Sequence, residues 1–328
     1  LMDNVIRPLF AAYGLLKAAR ARRQPLDLDL PERRIELTPD GRVKSVAFRE
    51  RFDAHRLIEE FMVLANVAAA EELTRLRRPL LFRVHEEPSP EKLNALRDVA
   101  EASGFALAKG QVLQTSHLNR LLAQAQGTDF DELINVSTLR SMTQAYYNAE
   151  NLGHFGLALK NYAHFTSPIR RYSDLIVHRA LISGHGWGKD GLSAQDIETL
   201  EDTAQHISDT ERRSMAAERD TTDRYLAAFL SERIGAEFTG RISGIQRFGA
   251  FVKLDETGAD GLLPIREIGK LVRELRPQQV PAHLARLGSC YQAELLDAAA
   301  QACLRAYPPG HLTASAIVFD AGADHVLL

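Results

Sequence analysis

Apolar residues recur at spacings of three and four along much of the chain, and this periodicity predicts amphipathic helices. The stretches that show it cover residues 4–23, 52–76, 89–103, 115–126, 129–146 and 194–234. One run inside residues 52–76 is almost wholly apolar: Leu57, Ile58, Phe61, Met62, Leu64 and Ala65. That run predicts a helix that is buried over most of its circumference.

Alternation of apolar and polar positions is confined to shorter regions and predicts extended segments there. Residues 26–37 alternate, and a turn sequence at 39–41 separates them from a second extended segment that ends near Ala47. Beyond residue 235, short alternating runs are separated by glycines. The patterns together predict an α+β fold, in which a helix-rich mixed domain over residues 1–234 precedes a few short strands over residues 235–269.

Composition and charge add few constraints. The formal net charge of −3 gives no overall signal for nucleic-acid binding, although a channel can be basic inside an acidic protein. The basic run from Lys17 to Arg23 is more typical of a solvated helix face. No apolar run approaches the roughly 20 residues that span a bilayer, and the first residues lack a signal-peptide pattern. A cytoplasmic location with no membrane partner is therefore the expectation.

Two cysteines, Cys290 and Cys303, are too few for a disulfide framework and fit no metal-ligand spacing. Three histidines, His154, His164 and His178, also match no metal-binding motif. We therefore interpret these histidines as hydrogen-bonded or core residues rather than metal ligands.

Residues 164–181 carry the most informative chemistry in the chain. Ser167 followed by Pro168 predicts a helix start, because serine suits the cap position and proline suits the first turn. Arg170 and Arg171 would then stand at the positive end of a helix dipole, an arrangement that binds phosphate. The alternative is an ordinary capped helix with two solvated arginines.

The same segment resembles, nearly residue for residue, the signature of the ribonuclease II and ribonuclease R family. Further blocks similar to this family lie in the same order at residues 51–67, 81–88, 139–147 and 153–159. The resemblance extends to about residue 269, and its last part looks like the first half of an OB-fold RNA-binding domain. It implies a 3′→5′ exoribonuclease that hydrolyses single-stranded RNA to nucleoside 5′-monophosphates.

The resemblance also assigns roles to individual residues. Arg170 matches the arginine that holds the scissile phosphate and stabilises the charge that develops there, and is the expected catalytic residue. Arg171 and Tyr172 are the second choices, as substrate-binding residues. In the OB-fold segment, the resemblance places Phe248 and Phe251 on RNA-facing strands, where aromatic rings can stack on bases. The alternative is that one or both belong to the barrel core, above all Phe251, because neighbours along a strand face opposite sides.

Two glutamates and one leucine complete the substrate-binding expectations. Glu59 matches a position that contacts RNA near its 3′ end, and a carboxylate that accepts from a ribose 2′-hydroxyl distinguishes RNA from DNA. The alternative is an ordinary helix carboxylate paired with Arg56. Glu218 resembles another RNA-contacting position. Leu28 stands where family members often carry a phenylalanine that stacks on the terminal base, so end-clamping is expected to be weaker here.

The family holds Mg²⁺ with a cluster of four aspartates, and no such cluster matches this sequence. The pair Asp27 and Asp29 is expected on a strand exterior, and the pair Asp220 and Asp223 on a charged helix. We expect the cluster to lie upstream of Leu1, so that the chain is a fragment that hydrolyses no RNA alone. The alternative is an inactive RNA-binding or structural remnant. A monomer that binds single-stranded RNA is expected in either case.

Residues 270–328 fall outside the resemblance. They contain an alanine-rich helical stretch near 291–305, and their last segment is similar to the opening hairpin of some Nudix hydrolases. We interpret them as a fusion or truncation product that does not complete the barrel. The alternative is a divergent barrel end.

Overall fold

The computed structural model describes residues 1–28, 30, 32–108, 113–128, 130–246 and 248–266, together with the backbone of two short strands at 318–319 and 326–327. Its helices are a π-helical turn at Met2–Ile6 followed by α1 (Arg7–Arg23), α2 (Asp53–Arg75), α3 (Pro90–Ala102), α4 (Thr115–Ala125), α5 (Asp131–Ser141), α6 (Tyr172–His185), α7 (Ala194–Glu198) and α8 (Leu200–Ser231). The α+β prediction is confirmed.

The strands form four small antiparallel groups. They are β1 (Arg33–Leu37), β2 (Val43–Phe48), β3 (Phe82–Val84), β4 (Tyr146–Asn148), β5 (Glu237–Phe238), β6 (Gly240–Gln246), β7 (Gly249–Leu254), β8 (Asp260–Pro264), β9 (Val318–Phe319) and β10 (Val326–Leu327). The sheet orders are β1-β2, β3-β4, β6-β7-β8 and β5-β10-β9. The predicted hairpin at β1-β2 is confirmed, with its turn at Thr38–Arg42.

The helix α2 follows its predicted bounds but not its predicted burial. Ile58 and Leu64 are exposed, while Glu60 and Asn66 lie on the buried face. The prediction that this helix is buried over most of its circumference was therefore wrong for the face that carries Ile58 and Leu64. The reason is that Glu60 and Asn66 have polar partners inside the molecule, Arg20 and Tyr162, so the helix turns this mixed face inward.

Two predicted helices end or divide earlier than expected. The stretch 129–146 stops being helical at Ser141, and Tyr146 begins the strand β4, which pairs with β3. The stretch 194–234 is divided at Thr199, whose backbone departs from helical geometry between α7 and α8. Periodicity alone did not show either boundary, because apolar residues continue at compatible spacing across both.

Three apolar clusters hold the larger part together. One joins α3, α4 and α5. A second joins α2, β3 and α6 through Leu73, Val84 and Val177. A third joins β3, β4, α6 and α8 through Leu81, Tyr147 and Ile176. The helix α6 therefore packs on both neighbouring clusters, which fixes the position of its first turn.

The sheet β6-β7-β8 lies against the β1-β2 hairpin. Arg33 pairs with Asp260 at 3.7 Å, and Leu254 packs in a cluster that includes Ile35. Gly258 has a φ of +64°, and a Cβ there would stand 2.9 Å from Nε of Arg33. Glycine is required at this position for both reasons, because the backbone is left-handed and the space is taken.

The structure describes only four of residues 270–328, so it tests the prediction that this tail does not complete the barrel only in small part. Strands β9 and β10 pair with each other, and β10 also pairs with β5. The alanine-rich stretch near 291–305 and both cysteines lie outside the described residues. Whether the tail completes the barrel therefore stays a prediction.

Candidate active site

A tight turn precedes α6 and carries the two arginines of the 164–181 segment. The backbone N–H groups of Arg170 and Arg171 both donate to the carbonyl of Ser167, at 3.3 and 3.1 Å. The helix itself begins at Tyr172, after an extended Arg171. The predicted helix start at Ser167 and Pro168 was wrong, because Pro168 occupies this turn instead of the first turn of the helix.

A fully buried carboxylate, that of Asp174, ties the turn to the helix. Its Oδ1 lies 2.7 Å from Nε of Arg171, and its Oδ2 accepts from the backbone N–H of Ser167 at 3.4 Å. Asp174 is the third helical residue, where the positive end of the dipole favours a negative charge. The carboxylate thus fixes both ends of the turn that presents Arg170.

The two adjacent arginines have different environments. The Arg171 side chain is mostly buried, and its Nη2 has no hydrogen-bond partner among the described residues. Its Nε is close to Asp174, but the N–H does not point at the oxygen, so the contact is an ion pair without an aligned hydrogen bond. Arg170 is exposed, and within the described part of the chain its guanidinium has no hydrogen bond or ion pair. The two arginines that were predicted to bind phosphate together therefore differ. Arg171 supports the turn, and Arg170 presents an exposed guanidinium.

Exposed residues flank Arg170 on both sides. Ile169 is 99 % exposed and Tyr172 is 48 % exposed. The turn thus projects into solvent, while the helix behind it is buried. This geometry presents one guanidinium fork to a ligand from a fixed backbone.

A polar network supports the turn from below. The Tyr147 hydroxyl and Nδ1 of His164 are 2.8 Å apart. Arg83 lies with its guanidinium 4.7 Å from the centre of the Tyr147 ring and donates to both carboxylate oxygens of Glu211. The network joins β3, β4 and α8 to the strand-like segment before the turn.

Asn66 on α2 fastens the same segment from another side. Its amide group donates to the Tyr162 hydroxyl at 3.1 Å, and its carbonyl accepts from the backbone N–H of Phe165 at 2.9 Å. His178 on α6 lies with its Nε2 2.9 Å from the Phe165 carbonyl, and the two rings stack. Sequence reasoning missed Asn66 and Asp174. The signals were a polar residue inside an apolar helical run and an Arg-Asp pair three residues apart.

The buried histidines are held in the neutral form. Burial, with a smaller effect from the nearby charges of Arg171 and Arg83, lowers the pKa of His164 to about 2. Burial, followed by the charge of His85, lowers the pKa of His154 to about 3. The prediction of hydrogen-bonded histidines is confirmed: Nδ1 of His154 accepts from the backbone N–H of Leu157, and His164 and His178 have the partners described above.

Glu59 is a half-exposed carboxylate in the second turn of α2, and it pairs with Arg51. The alternative pairing with Arg56 was wrong, because Arg56 reaches Asp53 in its own turn at 3.6 Å. The neighbouring Glu60 is the buried carboxylate and accepts from Arg20. The Glu59 carboxylate thus lies at the surface, where it pairs with Arg51 and remains accessible to a ligand.

The basic run at the end of α1 is not a uniformly solvated face. Arg20 binds Glu60 and Asp27, and Nε of Arg23 donates to the Leu157 carbonyl at 2.9 Å. Burial lowers the pKa of Arg23. That prediction was wrong for these two arginines, whereas Lys17 and Arg22 are exposed.

Leu28 packs against the cluster of α3, α4 and α5. Asp27 precedes β1 and lies in no strand, so its predicted place on a strand exterior was wrong; Asp29 lies outside the described residues. Glu218 and Asp223 are on the polar part of α8. Glu218 is exposed, and its side chain has no hydrogen bond or ion pair with any described residue; Asp220 pairs with Arg224.

Phe248 and Phe251 meet edge to face, with ring centres 6.0 Å apart. Phe248 is 54 % exposed in the β6-β7 turn. Along β7, Ala250, Val252 and Leu254 are buried and Phe251 is half-buried on the opposite face. The alternative that these rings belong to the barrel core is therefore wrong for Phe248, which is mostly exposed, and for Phe251 it stays untested, because the residues after 266 that could cover its face lie outside the described residues.

The described residues contain no group of three or more His, Cys, Asp or Glu that could hold a metal ion. The donor set of this part of the chain therefore does not fit Mg²⁺. Among the same residues, no helix is long and apolar enough to cross a membrane. An open cleft of about 780 Å³ lies beside His85 and His154, and Arg170 is not among the residues that line it.

Two family models match this chain. The RNB domain matches residues 2–184, and the S1 RNA binding domain matches residues 232–281. Ribonuclease R of Aquifex aeolicus is 36 % identical over 274 residues, which cover 81 % of this chain and 38 % of that protein. Ribonuclease R of Escherichia coli is 36 % identical over 271 residues, or 80 % of this chain and 33 % of that protein. The chain thus spans about a third of the length of these relatives.

Solved structures give the same match. Ribonuclease R of Mycoplasma genitalium, in complex with ribose-methylated single-stranded RNA, superposes with a TM-score of 0.74 at 32 % identity. The match covers 80 % of this chain and 42 % of that one. Yeast Ssd1, a pseudonuclease, shares the fold at a TM-score of 0.53 and 21 % identity.

Proposed function

Because the chain belongs to the ribonuclease II and ribonuclease R family of exoribonucleases, we propose that it supplies the phosphate-holding and RNA-binding part of a 3′→5′ exoribonuclease. The substrate is single-stranded RNA, and the products are nucleoside 5′-monophosphates. The observation that carries the proposal is the turn before α6. It presents Arg170, whose side chain has no partner within the described ranges, from a backbone fixed by the buried Asp174.

This geometry suits transition-state stabilisation. Negative charge builds on the scissile phosphate as the phosphodiester is attacked, and a guanidinium that is already oriented needs no reorganisation to meet it. Arg171 contributes by holding the turn, since its side chain points inward to Asp174. Tyr172, exposed at the first position of α6, is assigned to contact with the same nucleotide.

Other exposed groups are assigned to binding along the RNA. Glu59 offers a carboxylate to ribose hydroxyls, with Arg51 beside it to limit repulsion from phosphate. The half-exposed pair of Phe248 and Phe251 offers ring faces and edges to bases. Glu218 is assigned as a further RNA contact on α8. Phe248 and Glu218 are exposed, and Glu59 and Phe251 are partly exposed.

We also propose that the reaction uses Mg²⁺ held by aspartates that this chain does not contribute, because the family's aspartate cluster has no match in its sequence. The isolated chain is then expected to bind RNA without hydrolysing it. A monomeric state and a cytoplasmic location are part of the same proposal.

The experiment compares two proteins. One is the isolated chain. The other is a chimera in which this chain replaces the matching stretch of Aquifex aeolicus ribonuclease R. A single-stranded oligoadenylate labelled at its 5′ end is incubated with each protein and Mg²⁺. The chimera is expected to shorten it from the 3′ end and to release adenosine 5′-monophosphate, whereas the isolated chain leaves it intact.

Two results would contradict the proposal. Mononucleotide release by the isolated chain, at a rate near that of the intact relative, would show that the chain holds its own metal site. A folded chimera that binds the oligonucleotide but never cleaves it would favour the inactive RNA-binding remnant. Circular dichroism of the chimera is the folding control.

A further inference from the structure

The far end of α6 meets the far end of α2 at an exposed tryptophan. Trp187 follows α6 directly and is 69 % exposed. Its backbone is fixed, because Gly186 takes a left-handed conformation with φ of 68° and the N–H of Trp187 donates to the Ile182 carbonyl at 3.0 Å. This is a common way to end a helix, and it leaves the indole standing out from the surface.

One face of the Trp187 indole is covered by another side chain, that of His185. The ring of His185 lies parallel to it, with centroids 4.3 Å apart and an angle of 8°. Nε2 of His185 is 3.0 Å from a carboxylate oxygen of Glu72, and Glu72 also accepts two hydrogen bonds from Arg75. Since His185 covers one face and the residue is still largely exposed, the other face of Trp187 is open to solvent.

Exposed cations lie in the two chain segments that meet beside Trp187. Arg77 and Arg78 follow α2, and Lys189 lies two residues after Trp187; all three are exposed, and their side chains have no hydrogen bond or ion pair with described residues. Arg78 lies against α6, because its Cγ is 3.3 Å from where a Cβ on Gly184 would stand. In the same two segments, two acidic residues, Glu71 and Asp190, have no side-chain partner among the described residues. The three unpaired cations therefore outnumber the unpaired carboxylates.

We propose that these residues, Arg75, Arg77, Arg78, His185, Trp187 and Lys189, form a second binding site for single-stranded RNA, which we call the Trp187 patch. An open aromatic face stacks on any base, and unpaired cations beside it neutralise the phosphates of the same strand. The patch lies at the opposite end of α6 from Arg170, about 20 Å away at 1.5 Å per helical residue. The inference rests on the proposed function, in that RNA is the ligand.

The test uses the fact that Trp187 is the only tryptophan in the sequence. The isolated chain is titrated with an oligoadenylate while two signals are recorded. Anisotropy of a dye on the RNA reports total binding, and tryptophan fluorescence reports contact at the patch. We expect the fluorescence to be quenched in parallel with the rise in anisotropy, because a base stacked on the indole quenches its emission.

Variants give the energetic part of the test. Trp187→Ala is expected to weaken total binding about fivefold or more, which corresponds to the lower end of a base-stacking contribution. Trp187→Phe should recover most of that loss. Arg77→Ala with Arg78→Ala should weaken binding and flatten its salt dependence. The matched control is Arg140→Ala, which removes an exposed cation on α5.

The possible failures are distinguishable. If RNA binds by anisotropy while fluorescence and the Trp187→Ala affinity stay unchanged, the patch is overturned and the proposed function stands. If the patch binds an acidic peptide but not RNA, while RNA binds elsewhere, the RNA assignment of the patch is again overturned. If no RNA binds at all, both this inference and the RNA-binding part of the proposed function fail.

Discussion

The two ends of α6 are built in opposite ways. At its start, Asp174 is fully buried, Arg171 is mostly buried, and a single guanidinium, that of Arg170, is left exposed. At its end, Trp187 and the neighbouring cations are exposed, and the ring of Trp187 stacks on His185. One helix therefore joins a rigidly supported charge to an open binding surface.

The two ends of α6 therefore suit two different functions. A group that stabilises a transition state must already be in place, so its neighbours are buried and their polar atoms are committed to one another. A surface that binds an RNA strand as it moves needs exposed aromatic rings and cations, but it does not need them in one fixed arrangement. The support is not fully paired, because Nη2 of Arg171 and the hydroxyl of Thr166 are buried without a hydrogen-bond partner among the described residues. Such atoms are costly and are typical of functional sites.

The comparison predicts that the start of α6 is much more sensitive to substitution. Asp174→Asn keeps the shape of the side chain but removes its charge, so that Arg171 remains buried without a counter-ion. Breaking a buried pair in this way should lower the free energy of unfolding by about 3 kcal/mol. Urea unfolding followed by circular dichroism is the measurement.

The control for Asp174 is Asp220→Asn, which breaks a second Arg-Asp pair, the one with Arg224 at 2.9 Å. Both side chains of that pair are exposed, so the loss should be clearly smaller. Equal losses for the two variants would mean that burial of the Asp174 carboxylate adds nothing to the support of the turn.

The buried histidines predict an acid-sensitive support. The pKa of His164 is about 2 in the folded chain and near 6.5 when the residue is exposed. The unfolded chain therefore takes up a proton below about pH 6.5 that the folded chain does not, and stability falls as pH falls from 6.5 toward 2. Between pH 7 and pH 5 this histidine should account for a loss of about 2 kcal/mol.

Substitution separates this effect from general acid sensitivity. His164→Gln should make the difference in unfolding free energy between pH 7 and pH 5 smaller, even though the variant is less stable at pH 7. His206→Gln, which removes an exposed imidazole from α8, should leave that difference as it is in the parent chain. An unchanged difference in the His164 variant would assign the acid sensitivity elsewhere.

The smallest effect is expected at the other end of the helix. Trp187→Ala removes a mostly exposed ring and should change the free energy of unfolding by less than about 1 kcal/mol. Circular dichroism is again the signal, since the variant has no tryptophan. A loss as large as that of Asp174→Asn would mean that the ring is a structural cap, and the contrast between the two ends would disappear.

Much of the fold could be predicted from the sequence, because helical periodicity and turn residues are local signals. The bounds of α2, α3 and α4 differ by only one or two residues from those predicted. The start of α6 could not be found in this way. Ser167 and Pro168 have the composition of a helix start, but the tertiary partner Asp174 holds them in a turn instead.

The site was predictable only where the family resemblance supplied the residues. Periodicity could not show that Arg170 points outward and Arg171 inward, because both are polar and adjacent. Burial of Glu60 and Asn66 on an apolar helix depends on Arg20 and Tyr162, which are distant in sequence. The Trp187 patch is likewise invisible along the chain, since its cations come from two helices that meet only in the folded molecule.

The central claim is that Arg170 acts on the transition state from a prebuilt support. The most direct test is single-turnover cleavage of an oligoadenylate by the chimera, beside a binding titration without metal. Arg170→Ala should slow cleavage about 10²–10³-fold while affinity changes little, because ground-state affinity is spread over many contacts. Arg170→Lys should restore only part of the rate, since an ammonium lacks the guanidinium fork. Cleavage near the parental rate, or a defect that lies wholly in binding, would contradict the account and leave Arg170 as a solvated residue at a helix start.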